Sequence, residues 1–217
     1  MARQKKQISS QYPVVIAIEG LDYLHVILSQ IRERREYDGV LLWDFKEAYF
    51  EDDFALLIKE RHFEEIVRGL GIIRDAEESR HNQESSIRNV LLKHKLAVPN
   101  RPFEIADGRP STSYLIMPHD SESGCLEHAC LQACALPDEQ IACATSYFDC
   151  LRVHRGRTIT PNLQAKTMVH ALIASHHSSP AMTLGQSAAA GIWNFEHPSL
   201  KIMLDFIQQM RKAAGLQ

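Results

Sequence analysis

The hydrophobic pattern divides the chain into an alternating first half and a helical second half. Val14-Val15-Ile16-Ala17-Ile18 is a continuous apolar run that stops at Glu19-Gly20-Leu21-Asp22, and Leu70-Gly71-Ile72-Ile73-Arg74 is a second that stops at Asp75-Ala76-Glu77-Glu78. Runs of this kind predict short strands covered on both faces, as in a parallel sheet. After the first, Leu24, Ile27, Leu28 and Ile31 recur at helical spacing, which predicts a helix to Arg35 that stops near Asp38-Gly39. Val40-Leu41-Leu42-Trp43 predicts the next strand. Phe54, Leu57 and Ile58 predict a helix that leads through Phe63, Ile66 and Val67 to the strand of Gly69 to Asp75. Ile87, Val90 and Leu91 mark a further helix, behind a cap at Ser85 or Ser86. Pro99, Pro102, Gly108 and Pro110 punctuate a segment expected to hold a hairpin or edge strand around Phe103 to Ile105. Ser113-Tyr114-Leu115-Ile116-Met117 is a last strand, ended by Pro118.

From Gly124 onward the spacing is helical. Helices are expected over Leu126 to Cys134, from Pro137-Asp138 with Ile141, Ala144 and Phe148 on one face, and over Leu163 to Ile173. Gly185 to Gly191 predicts a loop or tight packing element, and Trp193 and Phe195 are expected in the core. Pro198 suits a first helical position, ahead of Leu200, Met203, Leu204 and Ile207. His176-His177 is expected to be a solvated helix end before Ser178-Ser179-Pro180. The fold class is therefore α/β, a mainly parallel central sheet flanked by helices, with a helical C-terminal half. No repeat or low-complexity linker divides the chain, and residues 1–12 are expected to be a flexible N-terminal segment before a single domain over 13–213.

In open α/β sheets ligands gather beyond the carboxyl ends of the strands, where the acids of both runs fall. Glu19 precedes Gly20, whose missing side chain lets a phosphate or a metal approach the backbone. Taken alone, Glu19 is better explained as a solvated carboxylate at a strand-end turn. Asp75 and Glu77 are two apart, so an extended strand end would point both to one side, as a hard cation such as Mg²⁺ or Mn²⁺ requires, with Glu78 pointing away. Glu127 falls in the first turn of a helix, where the dipole alone favours a carboxylate.

Composition narrows the field. The 217 residues, 45% hydrophobic and 24% charged, suffice for a sizeable core. A formal charge of -3 marks no dedicated polyanion-binding surface, although a near-neutral total can contain a local basic patch. No segment approaches the length of a membrane span, and the basic start has no apolar signal core after it, so a cytoplasmic protein is expected. Cys125, Cys130, Cys134, Cys143 and Cys150 are odd in number and read as reduced thiols. Their spacing with His128 lacks a Cys-x-x-Cys pair, which argues against zinc. A Gly-x-x-x-x-Gly-Lys phosphate loop is absent, so any ATP hydrolysis belongs to a partner.

Glu19-Gly20-Leu21-Asp22 after a first strand, followed some fifty residues later by a strand ending Asp75-Ala76-Glu77, resembles the two defining motifs of Toprim domains, the fold of topoisomerases, primases and the overcoming-lysogenization-defect nucleases. Ile116-Met117-Pro118, Gly124-Cys125-Leu126-Glu127, the Lys166 helix and Ala188-Ala189-Ala190-Gly191-Ile192-Trp193-Asn194-Phe195 are similar to a bacterial Toprim-like family related to those nucleases, over residues 13–210. The resemblance implies a Toprim-like Rossmannoid domain with a core over 13–135 and a helical elaboration over 136–213. It implies Glu19 as general acid/base or metal ligand, Asp75 and Glu77 holding Mg²⁺ or Mn²⁺, Glu127 completing a second metal position, and Lys166 stabilising charge on a phosphate. Gly20, Asp22 and Ser123 would support them. Two-metal displacement needs that many oxygens, because attacking and leaving oxygens are both stabilised. The chain departs from the usual Asp-x-Asp at Glu77, which puts the cation about one bond further out.

The activity implied is a metal-dependent phosphodiesterase or nuclease on nucleic acid, DNA or RNA, in an anti-phage or DNA-maintenance system with an ATP-binding-cassette ATPase as partner. The alternative is a non-catalytic Toprim-like interaction module, held by an ATPase and signalling through conformation or homo-oligomerisation.

Overall fold

The computed structural model describes residues 8–155, 159–176 and 181–216, with residues 152–155 described by backbone alone. Its centre is a four-stranded parallel sheet of β1 (Val14–Glu19), β2 (Val40–Phe45), β3 (Gly69–Asp75) and β4 (Ser111–Met117), in the order β2-β1-β3-β4. The register sets Ile18 beside Ile73 and Glu19 beside Phe45, so β1 and β3, the two inner strands, end together.

Both faces of the sheet are covered, which is why the strands are apolar without alternation. Val14, Ile16 and Ile18 pack with α1 (Gly20–Ile31), α5 (Leu126–Gln132), α7 (Pro161–His176), α8 (Leu184–Ala189) and α9 (Pro198–Ala213). Val15 and Ala17 point the other way, into a core built with α2 (Phe50–Ile58), α3 (Phe63–Ile66) and α4 (Arg80–Lys93). The remaining helix, α6 (Asp138–Arg155), packs against α7. The α/β class and the helical second half are as the pattern predicts. No described helix is long and apolar enough to cross a membrane.

Several boundaries differ from the sequence reading. The first helix ends at Ile31 rather than Arg35, and Arg35–Tyr37 forms a separate 3-10 turn. Ser79 caps α4, accepting from the Asn82 amide, because Ser85 and Ser86 lie inside the helix. The segment around Phe103 forms no named strand: Phe103 has φ 66°, and pairing there is limited to a bridge of Ala106 with Thr112. The helix expected over Leu126 to Cys134 stops at Gln132. Residues 184–189, read as a loop or tight packing element, form α8, started by a reciprocal cap between Thr183 and Gln186. Trp193 and Phe195 are buried as expected, with the Trp193 indole N–H donating to Ser187 at 2.8 Å. His176 closes α7, whereas His177 to Pro180 lie outside the described residues, as do residues 1–7 of the expected flexible start; Ile8 is buried in the second core.

Gly71 sets how closely α9 approaches the sheet. A Cβ built there would stand 2.7 Å from Ile16 Cδ1 and 2.9 Å from Phe206 Cε1. Gly71→Val is expected to cost about 1–3 kcal/mol through overpacking, read as a lower urea midpoint with unchanged slope.

Candidate functional site

The carboxyl ends of β1 and β3 deliver the acids. Glu19 is the last residue of β1, and Gly20, at φ +80°, turns the chain directly into α1. A Cβ on Gly20 would meet nothing within 4 Å, so the backbone conformation requires glycine there and the space beside it is open. Asp75 ends β3 next to it. Glu77 does not reach the group by strand alternation as expected, because β3 has stopped; its own φ of 50° turns it back. That left-handed backbone costs a non-glycine residue on the order of 1–3 kcal/mol. It is held by a reciprocal pair of bonds with Gly124, 2.7 Å from the Glu77 amide to the Gly124 carbonyl and 2.8 Å in return.

One oxygen from each of Glu19, Asp75 and Glu77 lies within 4.8 Å of the others. Glu19 and Asp75 are buried and Glu77 half-buried, while Glu78 is exposed, as expected. The three carboxylates are oriented the same way, each through a single oxygen. Glu19 Oε2 accepts from Arg74 Nε at 2.9 Å. Asp75 Oδ1 accepts from the Tyr23 hydroxyl at 2.5 Å and from the Leu126 amide, at the start of α5, at 2.8 Å. Glu77 Oε2 accepts from Asn162 Nδ2 at 2.8 Å. The second oxygen of each accepts no hydrogen bond among the described residues, so each acid is aimed and still has an oxygen to give. This donor set fits a hard divalent cation, whose ligand carboxylates are themselves hydrogen-bonded from behind.

A cavity of about 270 Å³ opens over the trio, lined also by Gly20, Asp22, Tyr23, Lys46, Glu47, Leu126, Glu127 and Lys166. Glu127 is buried on α5 and shares the cavity but stands outside the trio. Lys166 reaches the cavity from α7, and Asp22 lines it from an exposed position in the first turn of α1. Ser123 is exposed and not part of the lining; its carbonyl accepts from the Ser121 hydroxyl. Cys125 and Cys130 are buried free thiols, and no group of cysteine and histidine among the described residues converges as a zinc site would.

Burial, with the neighbouring acids adding to it, sets the direction of the protonation shifts. Burial, partly offset by the Tyr23 hydrogen bond and reinforced by Glu19, Glu127 and Glu77, holds the Asp75 carboxyl well above the usual range. Burial also raises Glu19, against the pull of Arg74. Burial opposes charge on Lys166, but Glu127, Cys125, Glu77 and Asp75 outweigh it and keep the ammonium protonated beyond its ordinary range. Burial and the neighbouring Glu127 push the Cys125 thiol up, which disfavours its thiolate form.

Sequence reading had not assigned roles to Tyr23, Arg74, Asn162, Lys46 or Glu47. Arg74 carried a signal, since a cation inside a buried apolar strand needs an anion. Asn162 carried none, being 85 residues from Glu77.

The acid-rimmed pocket lies at the carboxyl edge of a parallel sheet, the place where open α/β sheets in general bind their ligands. The chain belongs to the family described as Protein of unknown function (DUF3226), which matches residues 13–212. No curated protein and no solved structure matches it.

The raised carboxyls fix the sign of a pH effect. A carboxyl whose folded pKa lies above its unfolded value keeps its proton longer when folded, so stability is greatest below the unfolded value and falls as pH rises toward the folded one. In chelator, the wild type is expected to lose stability as pH rises from the ordinary carboxylate range toward neutrality. Asp75→Asn should flatten that fall and raise the neutral-pH melting temperature. At Mg²⁺ a hundredfold above its Kd the wild type should gain about 2.7 kcal/mol, roughly 5–10 °C, and Asp75→Asn should lose that gain. Thermal melts across pH, with chelator and with Mg²⁺, check both; an unchanged Mg²⁺ gain in Asp75→Asn would place the ion elsewhere.

Proposed function

We propose that this chain is a Toprim-type phosphodiesterase, dependent on Mg²⁺ or Mn²⁺, that hydrolyses nucleic acid in the cytoplasm. The observation that carries the reading is the trio itself: Glu19 and Asp75 end two adjacent parallel strands, Glu77 follows two residues later, and their oxygens lie within 4.8 Å. That is the relation the Glu-Gly…Asp-x-Glu spacing implies for a Toprim domain, and it departs only in the longer second acid.

Asp75 and Glu77 would hold the cation through their unengaged oxygens, with Glu19 beside them. A bound divalent ion would supply Lewis-acid polarisation of a phosphoryl oxygen and a more acidic water. Glu19, raised above the usual carboxylate range and fixed by Arg74 through one oxygen, is placed to take or give a proton with the other. Lys166 faces the same cavity and would offset charge on the phosphate. Glu127, which lines the same cavity, would contribute to a second metal position. An ATP-binding-cassette ATPase remains the proposed partner, in anti-phage defence or DNA maintenance.

One feature favours a second reading. Six carboxylates and only two lysines line the cavity, a surface that repels a polyanion until cations neutralise it. A Toprim-like module that binds and is regulated by an ATPase, without cleaving, has no such conflict.

The test is cleavage of single- and double-stranded DNA and RNA by the purified chain, alone and with an ATPase encoded beside it. Activity is expected only with Mg²⁺ or Mn²⁺, and Glu19→Gln should lower it about 10²–10⁴-fold while leaving the fold and ATPase binding intact. A wild type inert under all these conditions, in a system whose cellular activity survives both Glu19→Gln and Asp75→Asn, overturns the enzyme in favour of the module.

A further inference from the structure

Glu77 is the member of the trio that no strand carries, since β1 ends at Glu19 and β3 at Asp75. Its backbone is left-handed at φ 50°, outside the strand that aims Asp75. Two contacts keep it there. The first is the double bridge to Gly124, which itself has φ +129°, and where a Cβ would come within 2.9 Å of Pro118 Cδ. The second is the 2.8 Å bond from the Asn162 amide to Glu77 Oε2. Asn162 lies in the first turn of α7, one turn before Lys166, so α7 brings a fixed donor and a cation to one side of the acids. The Gly124 bridge fixes the Glu77 backbone but leaves its side-chain torsions free. Only Asn162 restrains the carboxylate among the described hydrogen bonds.

We propose that Asn162 is a positioning residue which locks the Glu77 carboxylate for a small, strictly octahedral cation and so sets the preference for Mg²⁺ over Ca²⁺; this rests on the metal-centre reading above. Mg²⁺ accepts oxygen ligands only at 2.0–2.1 Å in near-ideal geometry, whereas Ca²⁺ tolerates 2.3–2.6 Å, variable number and bidentate carboxylates. A Glu77 held through Oε2 presents one oxygen in one direction. Released, it can swing and bind through both oxygens, which suits the larger ion. A glutamate side chain has one more rotatable bond than an aspartate, and the Asn162 bond restrains that added freedom.

The experiment measures thermal melts of the full chain against Mg²⁺ and, separately, Ca²⁺, in wild type and in Asn162→Leu, which keeps the size of the side chain and removes the donor. The Mg²⁺ midpoint should rise about tenfold or more, the usual cost of losing a group that orients a ligand, while the Ca²⁺ midpoint moves less and the metal-free melting temperature stays near wild type. Asn162→Ser keeps a polar first-turn residue too short to reach Glu77, and should give the same loss of Mg²⁺ preference if Asn162→Leu folds poorly. Equal weakening of both ions, or no change in either, overturns the role of Asn162. A wild type that gains nothing from either ion overturns the metal centre itself, which the variants alone would not reveal.

Discussion

Like-charge crowding at the carboxyl edge of the sheet is the constraint around which this molecule is organised. Two carboxylates about 5 Å apart repel by roughly 3 kcal/mol at an effective dielectric near 20. Three mutual pairs therefore approach the whole margin of a folded domain, about 5–15 kcal/mol. Such a cluster survives only if charge is removed or matched. The structure does both: Asp75 and Glu19 are biased toward the protonated form, Arg74 lies against Glu19, and Lys166 faces the group from α7. A bound divalent cation would relieve the same repulsion in one step.

Arg74 connects that edge to the core on the far face of the sheet. Its guanidinium is buried, donates to Glu19 and to the Ser86 hydroxyl at 3.2 Å, and stacks on the Phe50 ring with 4.3 Å to the centroid. Removing one partner of a buried pair leaves an uncompensated charge and typically costs about 3–5 kcal/mol, more than the pair contributes relative to an apolar replacement. The pair is therefore better understood as a device for orientation than as a source of stability. Phe50 of α2 and Ser86 of α4 hold the Arg74 guanidinium of β3, which in turn donates to one oxygen of Glu19. The other oxygen is thereby committed to the cavity.

What the sequence made legible follows the range over which each signal acts. The two strand runs, their carboxylate ends and the parallel sheet are written in consecutive residues, and Glu19, Asp75 and Glu77 could be named from them. The positive φ of Glu77 was not legible, because its cause is a bridge to Gly124, 47 positions away and itself shaped by Pro118. For the same reason the alternation argument brought Glu77 to the right place by the wrong route. Ser79 was missed as a cap because Ser85 and Ser86 lay nearer the apolar stripe, and α8 was missed because its small residues lack a hydrophobic stripe. Asn162 and Tyr23 were not legible, because only the tertiary fold brings the first turns of α7 and α1 over the acids.

The helical second half is then more than a cover for an apolar sheet face. α5 directs its first amide at Asp75 and carries Glu127, α7 supplies Asn162 and Lys166, and the two helices pack against each other. A four-stranded sheet alone would gather the acids and let Arg74 hold Glu19, but would leave Glu77 without its donor and Asp75 without the α5 amide. With α5 and α7 in place Asp75 and Glu77 also accept at one oxygen from another element, and a second counter-charge, Lys166, arrives on the helix that orients Glu77. Any movement of α7 would therefore change the direction of the Glu77 carboxylate and the local charge balance together. A partner that docks on this half would thus have a direct mechanical route to the acids, without touching the sheet.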